Sequence, residues 1–108
     1  IISTHGGRVI TSSQATAEVL PGIRAAVGPA LTIIVDGAIR TGYDVFKVLA
    51  LGADAAMIGR PFVVAAVGGG AEGVELYANA RRAELENLMT MTNCRTLADI
   101  TPGKVVIS

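Results

Sequence analysis

Three short, mainly apolar runs, each followed by a polar turn that contains glycine and arginine, divide the chain into repeating units. The runs occupy residues 1–4, 31–35 and 55–58. Runs of this length, rich in β-branched residues in the first two cases, are typical of strands buried on both faces of a sheet. The third run is rich in alanine, which is a poor strand former.

Helical patterns lie between these runs. A first pattern opens at Ser13 and continues to residue 27, where Gly28 and Pro29 stop it. Thr41 can cap a second helix over residues 42–51, and Gly52 suits its C-terminal end. We expect the apolar face of the second helix to pack on the sheet through Val45, Val48, Leu49 and Leu51.

The last third of the chain predicts one long helix. A loose stretch over residues 67–70 precedes it, the helix itself spans 71–92, and Thr96 caps a short closing helix over 95–100. Its apolar stripe consists of Val74, Tyr77, Ala78, Leu85, Leu88 and Met89. The face exposed to solvent is predicted to carry Arg81, Arg82, Glu84 and Glu86.

Strands that alternate with helices predict an α/β fold with a parallel sheet and outer helices. In such folds, ligands bind beyond the carboxyl ends of the strands. Glycine there allows close backbone approach, and the guanidinium fork matches phosphate or carboxylate. The three turns therefore predict a site for an anionic ligand, formed by Gly6, Gly7, Arg8, Gly37, Arg40, Gly59 and Arg60.

Composition excludes several classes of function. Nine basic and nine acidic residues give a net charge of zero, so binding to nucleic acid or an anionic membrane is not indicated. No apolar run reaches the ~18 residues of a membrane span, and no signal peptide is visible. The single cysteine, Cys94, excludes an internal disulfide and fits a reducing compartment, so we expect a cytoplasmic protein. No metal site is predicted.

Each site residue taken alone has a second interpretation. A single histidine, here His5, is more often structural than catalytic, although its place before two glycines favours function. Asp36 can equally cap the next helix, and Arg40 or Arg60 can be an ordinary solvated side chain. Asp44 suits the first turn of a helix, where its negative charge interacts favourably with the positive end of the helix dipole. The joint pattern points to function more strongly than any of its members.

Five blocks of the sequence resemble a known family. Residues 3–8, STHGGR, resemble the S-N-H-G-G-R signature of the FMN-dependent α-hydroxy-acid oxidases and dehydrogenases, which include glycolate and lactate oxidases. Residues 35–47, VDGAIRTGYDVFK, are similar to the family's D-G-G block. The blocks ALGAD at 50–54 and IGRP at 58–61 match two further family blocks, and residues 91–100 resemble the family's ending.

The resemblance implies a fold and a reaction. The chain would be the C-terminal portion of a TIM (β/α)₈ barrel, about the last three βα units, with residues 1–108 forming part of a domain whose N-terminal half is absent. The opening IIST without an initiator Met, and a length of 108 residues against the ~250 of a full barrel, agree with a fragment that we expect to be inactive alone. The full-length protein would oxidise a small 2-hydroxy acid, such as lactate or glycolate, and form a homotetramer.

The resemblance also implies a role for each site residue. His5 would be the general base and contact the substrate, since an imidazole exchanges protons readily near neutral pH. Arg8 would grip the substrate carboxylate, and Ser3 would hydrogen-bond the flavin ring. The ribityl chain and phosphate of FMN would be held by Asp36, Gly37, Ala38, Ile39, Arg40, Gly59 and Arg60.

The sequence departs from the family pattern in three places. Thr4 replaces the usual Asn, Ala38 replaces the second glycine of D-G-G, and Val9 follows Arg8 where the family has an L-D step. If the family needs a positive φ at position 38, the alanine would weaken FMN binding. Two other functions stay open: an FMN barrel like type 2 isopentenyl-diphosphate isomerase, and a non-catalytic phosphate-binding half-barrel.

Overall fold

A small parallel sheet lies at the centre of the fold. The computed structural model describes residues 1–107. Strand β1 (Ile34–Val35) pairs in parallel with β2 (Ala55–Ala56), and Ile2 forms a parallel bridge with Val35. The N–H of Ile2 donates to the carbonyl of Ile34 at 2.8 Å on one edge of β1, while Met57 donates to Val35 on the other. β1 is therefore the central strand, and the predicted parallel α/β arrangement is confirmed.

The strands are shorter than the sequence predicts. The first apolar run contributes a bridge at Ile2 alone, and the run over 31–35 forms ladder structure only from Ile34. Leu31 is 58% exposed, and its carbonyl accepts a hydrogen bond from Arg24 at 3.0 Å. The N–H of Ile33 donates to the carboxylate of Asp54, so side chains bind the backbone on both sides of residue 32 and the ladder starts only at Ile34.

Three helices surround the sheet. Helix α1 (Thr16–Val27) begins three residues after the predicted Ser13, with Ala15 as its N-cap, and Glu18 accepts the N–H of Ala15 at 3.1 Å. Pro21 lies inside α1. Helix α2 (Gly42–Ala50) begins at the predicted cap, Thr41. Short 3₁₀ turns span His5–Gly7, Leu97–Asp99 and Pro102–Lys104, and Thr96 flanks the second of these as predicted.

Helix α3 (Arg60–Met91) is longer than predicted and is bent. The predicted loose stretch at 67–70 is wrong except at Gly70, whose φ of 59° and ψ of −146° break the helix. Glycine lowers helix stability by only about 1 kcal/mol per residue, so Gly68 and Gly69 do not prevent a helix that Pro61 has opened. We call residues 60–69 the first segment of α3 and residues 71–91 its second segment.

The core consists of two clusters, one on each side of α2. The first lies between α1, the sheet and α2, and contains Leu20, Ile33, Val35, Ile39, Val48 and Ala53. The second lies between α2, the second segment of α3 and the C-terminal turns, and contains Phe46, Ala50, Cys94 and Ile100. The prediction that Leu49 packs on the sheet is wrong. Because α2 is covered on both sides, Leu49 packs against the second cluster.

The faces of α3 are partly as predicted. Leu85, Leu88 and Met89 pack against the second cluster, but Ala78 is exposed, because the stripe meets α2 chiefly toward its C-terminal end. Arg82 and Glu86 pair on the exposed face. The prediction that Arg81 and Glu84 are solvated is wrong, since their side chains are only 21% and 25% exposed.

Arg24 of α1 links the C-terminal ends of α1 and α2 at the amino ends of the strands. Its guanidinium donates to the carbonyls of Gly52 at 2.7 Å and Gly28 at 2.8 Å, and pairs with Asp54. Asp54 also accepts the N–H of Ile33 at 2.7 Å, which with the Arg24 hydrogen bond lowers the pKa of its carboxyl. In residues 1–107 no helix is long and apolar enough to cross a membrane.

Candidate functional site

The first polar turn is left-handed over three successive residues. His5, Gly6 and Gly7 have φ values of 48°, 68° and 73°. Glycine adopts this region without strain, whereas histidine does so at some cost. A Cβ on Gly7 would lie 2.9 Å from the hydroxyl of Ser13, so glycine there also permits close packing. The turn carries His5 and Arg8 past the end of the bridge at Ile2.

The second turn follows β1 and also contains left-handed residues. Gly37 and Ala38 have φ values of 111° and 59°. Asp36 accepts a hydrogen bond from the Ser3 hydroxyl at 3.0 Å, which joins this turn to the first. Ile39 is 5% exposed and belongs to the first core cluster, so the turn is anchored on both sides of Ala38.

The N-terminus of α2 is closed by two carboxylates. Asp44 accepts the N–H groups of Arg40 at 3.2 Å and Thr41 at 3.0 Å, and the Thr41 hydroxyl at 2.8 Å. Burial raises the pKa of Asp44, but these hydrogen bonds outweigh it, so the pKa is lowered. Glu84 of α3 accepts the N–H of Gly42 at 2.6 Å. The interpretation of Asp44 as a first-turn carboxylate is confirmed.

The third turn opens α3. Gly59 precedes the helix, and Pro61 stands in its first turn, where the absent N–H leaves no broken hydrogen bond. A Cβ built on Gly59 would have no atom within 4 Å, so the backbone there faces open space. The N-terminus of a helix attracts anions through its dipole and free N–H groups, which places Arg60 at a favourable position for phosphate.

The three turns line one cavity of about 590 Å³ at the carboxyl ends of the strands. Its walls comprise His5, Gly6, Arg8, Asp36, Gly37, Ala38, Ile39, Arg40, Gly59, Arg60, Pro61 and Val64. Every predicted site residue except Ser3 and Gly7 is brought together here. Ser3 lies outside these walls, where its hydroxyl binds Asp36.

The cavity carries an excess of positive charge. Arg8, Arg40 and Arg60 line it, against the single carboxylate of Asp36. None of the three guanidiniums takes part in an ion pair within residues 1–107. Cations without a protein partner remain available to an anionic ligand, and arginine suits phosphate and carboxylate through paired hydrogen bonds.

Two residues near the cavity escaped the sequence reasoning. Tyr77 donates its hydroxyl to the carbonyl of Arg40, and Glu84 holds Gly42. Both come from the second segment of α3, 37 and 42 residues away from their partners. An acidic and an aromatic residue on a helix carry no local sign of such contacts.

Comparisons with known proteins show the family of the chain. A model of the FMN-dependent dehydrogenase family matches residues 1–107. The chain belongs to this family. It is 47% identical over 100 residues to an L-lactate oxidase of Lactobacillus jensenii and 43% identical over 106 residues to an L-lactate dehydrogenase of Haemophilus influenzae.

A solved member of similar structure is a mandelate oxidase in complex with benzoyl-formic acid. It superposes with a TM-score of 0.87 at 35% identity, over 92% of this chain and 30% of the oxidase. The lactate oxidase alignment covers 93% of this chain and 24% of that relative, and the dehydrogenase alignment covers 98% and 28%. The chain thus spans about a quarter of the length of these FMN-dependent dehydrogenase relatives.

Proposed function

We propose that this chain supplies the base, the substrate-binding arginine and much of the FMN phosphate site of an enzyme that oxidises a small 2-hydroxy acid to the 2-oxo acid. One observation carries the proposal: a histidine and three arginines without ion-pair partners in residues 1–107 line the same cavity. Membership of the FMN-dependent dehydrogenase family supports the same function.

The residues of the cavity fit FMN. A phosphate dianion needs cations and close backbone approach, and the turns at Gly37 and Gly59 provide these beside Arg40 and Arg60. Asp36 offers a carboxylate that can accept hydrogen bonds from ribityl hydroxyls. The N–H groups of residues 40–42 are bound by Asp44 and Glu84. The phosphate would therefore be contacted by the side chains of Arg40 and Arg60 and by the backbone of the turn at Gly59.

The histidine and the nearest arginine suit a 2-hydroxy acid. Arg8 would hold the carboxylate of the substrate with its two parallel N–H groups, which fixes the direction of the hydroxyl-bearing carbon. His5, three residues earlier in the same turn, would accept a proton from the substrate and keep it within the cavity. FMN, when bound, supplies the two-electron acceptor.

We further propose that the three parallel strands are the last three of a (β/α)₈ barrel. The site lies at the carboxyl ends of the strands, where barrel enzymes have theirs, and phosphate commonly binds after the seventh and eighth strands. The outward-facing groups of Ile2 and β2 would pair with strands supplied by the rest of such a barrel. A chain with only these three strands would therefore not turn over substrate.

Two variants in a full-length protein that contains this chain test this function. His5→Gln keeps a polar side chain but removes the base, and we expect kcat to fall at least about 100-fold with flavin absorbance retained. Arg8→Lys keeps the charge but removes the paired geometry, so KM for lactate or glycolate should rise more than kcat falls. Arg82→Lys, on the exposed face of α3, is the control.

The alternatives give different results. A colourless protein that FMN does not stabilise would favour the non-catalytic half-barrel. Turnover of isopentenyl diphosphate, with none of lactate or glycolate, would favour the isomerase. Unchanged 2-hydroxy-acid oxidation in His5→Gln would show that another residue is the base.

A further inference from the structure

Tyr77 contacts the turn that carries Arg40 and the first segment of α3, which begins at Arg60. Its hydroxyl donates to the backbone carbonyl of Arg40. Its ring stacks edge-on against Phe62, with ring centroids 4.9 Å apart, and Phe62 lies two residues after Arg60. Tyr77 thus joins the turn that carries Arg40 to the first segment of α3, across the bend at Gly70.

Tyr77 is itself held in place by neighbouring charges. The guanidinium of Arg81 lies 4.4 Å from the centre of the Tyr77 ring, a distance at which a cation is attracted to the aromatic face. The same guanidinium donates to both carboxylate oxygens of Glu84, at 2.9 and 2.7 Å. Glu84 in turn accepts the N–H of Gly42, two residues after Arg40. The side chains of one helix therefore hold the second turn at two points.

The backbone around Arg40 has little freedom as a result. Its N–H is bound by Asp44, its carbonyl by Tyr77, and the N–H of Gly42 by Glu84. The side chain of Arg40 is exposed and free to rotate, so the position of its backbone sets the region that the guanidinium can reach. A group that fixes this carbonyl also restricts the guanidinium.

We propose that Tyr77, held by Arg81 and Glu84, is a positioning residue that sets the placement of the Arg40 turn relative to the first segment of α3, which begins at Arg60, and so the affinity for the phosphate of the cofactor. This inference rests on the proposed function, because it assumes that the two arginines hold that phosphate. It assigns a role to the second segment of α3, which does not line the cavity.

Two flavins in the full chain separate positioning from general stability. FMN carries the phosphate and riboflavin lacks it. In Tyr77→Phe, which keeps the ring but removes the hydroxyl, we expect the dissociation constant for FMN to rise about three- to tenfold, as for the loss of one hydrogen bond. The constant for riboflavin should change less than about twofold. Tyr43→Phe, at the other tyrosine, which is 41% exposed, is the matched control.

A second pair of variants tests the support of Tyr77. Glu84→Ala removes the contacts to Gly42 and Arg81, whereas Glu86→Ala removes a carboxylate that is 60% exposed on the same helix. We expect the selective loss of FMN affinity in the first and not in the second. Amide hydrogen exchange over residues 40–42, measured without flavin, should be faster than in the wild type for Tyr77→Phe and Glu84→Ala. It should be unchanged for Tyr43→Phe and Glu86→Ala.

The outcomes distinguish the two proposals. Equal weakening of FMN and riboflavin, or unchanged FMN binding with unchanged exchange at residues 40–42, overturns the positioning role while the proposed function stands. A wild-type protein that binds neither flavin overturns both.

Discussion

Gly42 and Arg81 approach so closely that no side chain fits between them. A Cβ on Gly42 would collide with the carbonyl oxygen of Arg81, and would lie 2.6 Å from the N of Leu85 and 2.7 Å from the Cβ of Glu84. Two of these contacts are with backbone, which cannot move aside without shifting α3. The N-terminus of α2 is therefore packed directly on α3, and this contact brings Glu84 within reach of the Gly42 N–H.

Gly42→Ala should lower the free energy of unfolding by about 2–4 kcal/mol, because the added methyl group displaces α3. Helix propensity alone predicts the opposite, since alanine favours a helix over glycine by about 1 kcal/mol. Gly22→Ala is the control, because Gly22 lies within α1 and a Cβ there meets no atom within 4 Å. Urea unfolding of both variants should show opposite signs; stabilisation in both would contradict the observed packing.

Ala38→Gly should raise the free energy of unfolding by about 0.5–1 kcal/mol. Ala38 has a φ of 59°, and an L-residue in this region costs about 1–2 kcal/mol, of which glycine's extra freedom in the unfolded chain cancels a part. Thermal unfolding measures the change. Ala26→Gly, within α1, should instead lower the free energy of unfolding by about 1 kcal/mol. A decrease of similar size for Ala38→Gly would argue against strain at position 38.

Arg24→Met should destabilise the fold by about 2–4 kcal/mol, because three backbone carbonyls lose their donor while the aliphatic stem is kept. Arg24 lies at the end of the strands away from the cavity, so flavin affinity should be unchanged in the folded protein. Arg82→Met is the control: the Arg82 side chain is 76% exposed, so its loss should leave the stability almost unchanged. Loss of FMN binding at temperatures where Arg24→Met is folded would show that Arg24 acts on the cavity as well as on stability.

Stability should fall as the pH drops below about 4, where carboxylates of the unfolded chain take up protons. Hydrogen bonding to Gly42, helped by Arg81, lowers the pKa of Glu84, and the N–H groups of Thr96 and Arg95 lower the pKa of Asp99. A lowered pKa in the folded state means that the stabilisation is present above the unfolded value and is lost as the pH falls through the folded one.

Glu84→Gln tests this pH dependence directly. The variant should be less stable than the wild type at pH 6, and the gap should narrow as the pH falls below about 4. Urea unfolding at several pH values provides the measurement, and Glu75→Gln, at an exposed position of the same helix, is the control. A gap that stays constant from pH 6 to the acid limit would mean that the charge of Glu84 is not the cause.

Much of the site could be predicted because each part of it is local. Arg8, Arg40 and Arg60 each follow an apolar run and a glycine, and the carboxyl ends of parallel strands meet at one edge of the sheet. That rule brings together residues far apart in the chain without any knowledge of their contacts. The hydrogen bond from Ser3 to Asp36 could not be predicted, since it joins two turns that are 33 residues apart in the chain.

The sequence by itself determined the parallel order of the strands, the caps at Thr41 and Thr96, and the residues that gather at the cavity, because short-range patterns and strand direction suffice for these. Only the tertiary structure decided that Gly68 and Gly69 are helical, and that Tyr77 and Glu84 hold the turn at Arg40 and Gly42. The physical reason is the bend at Gly70, after which the second segment of α3 packs on α2. No local pattern specifies which side chains then meet across that contact.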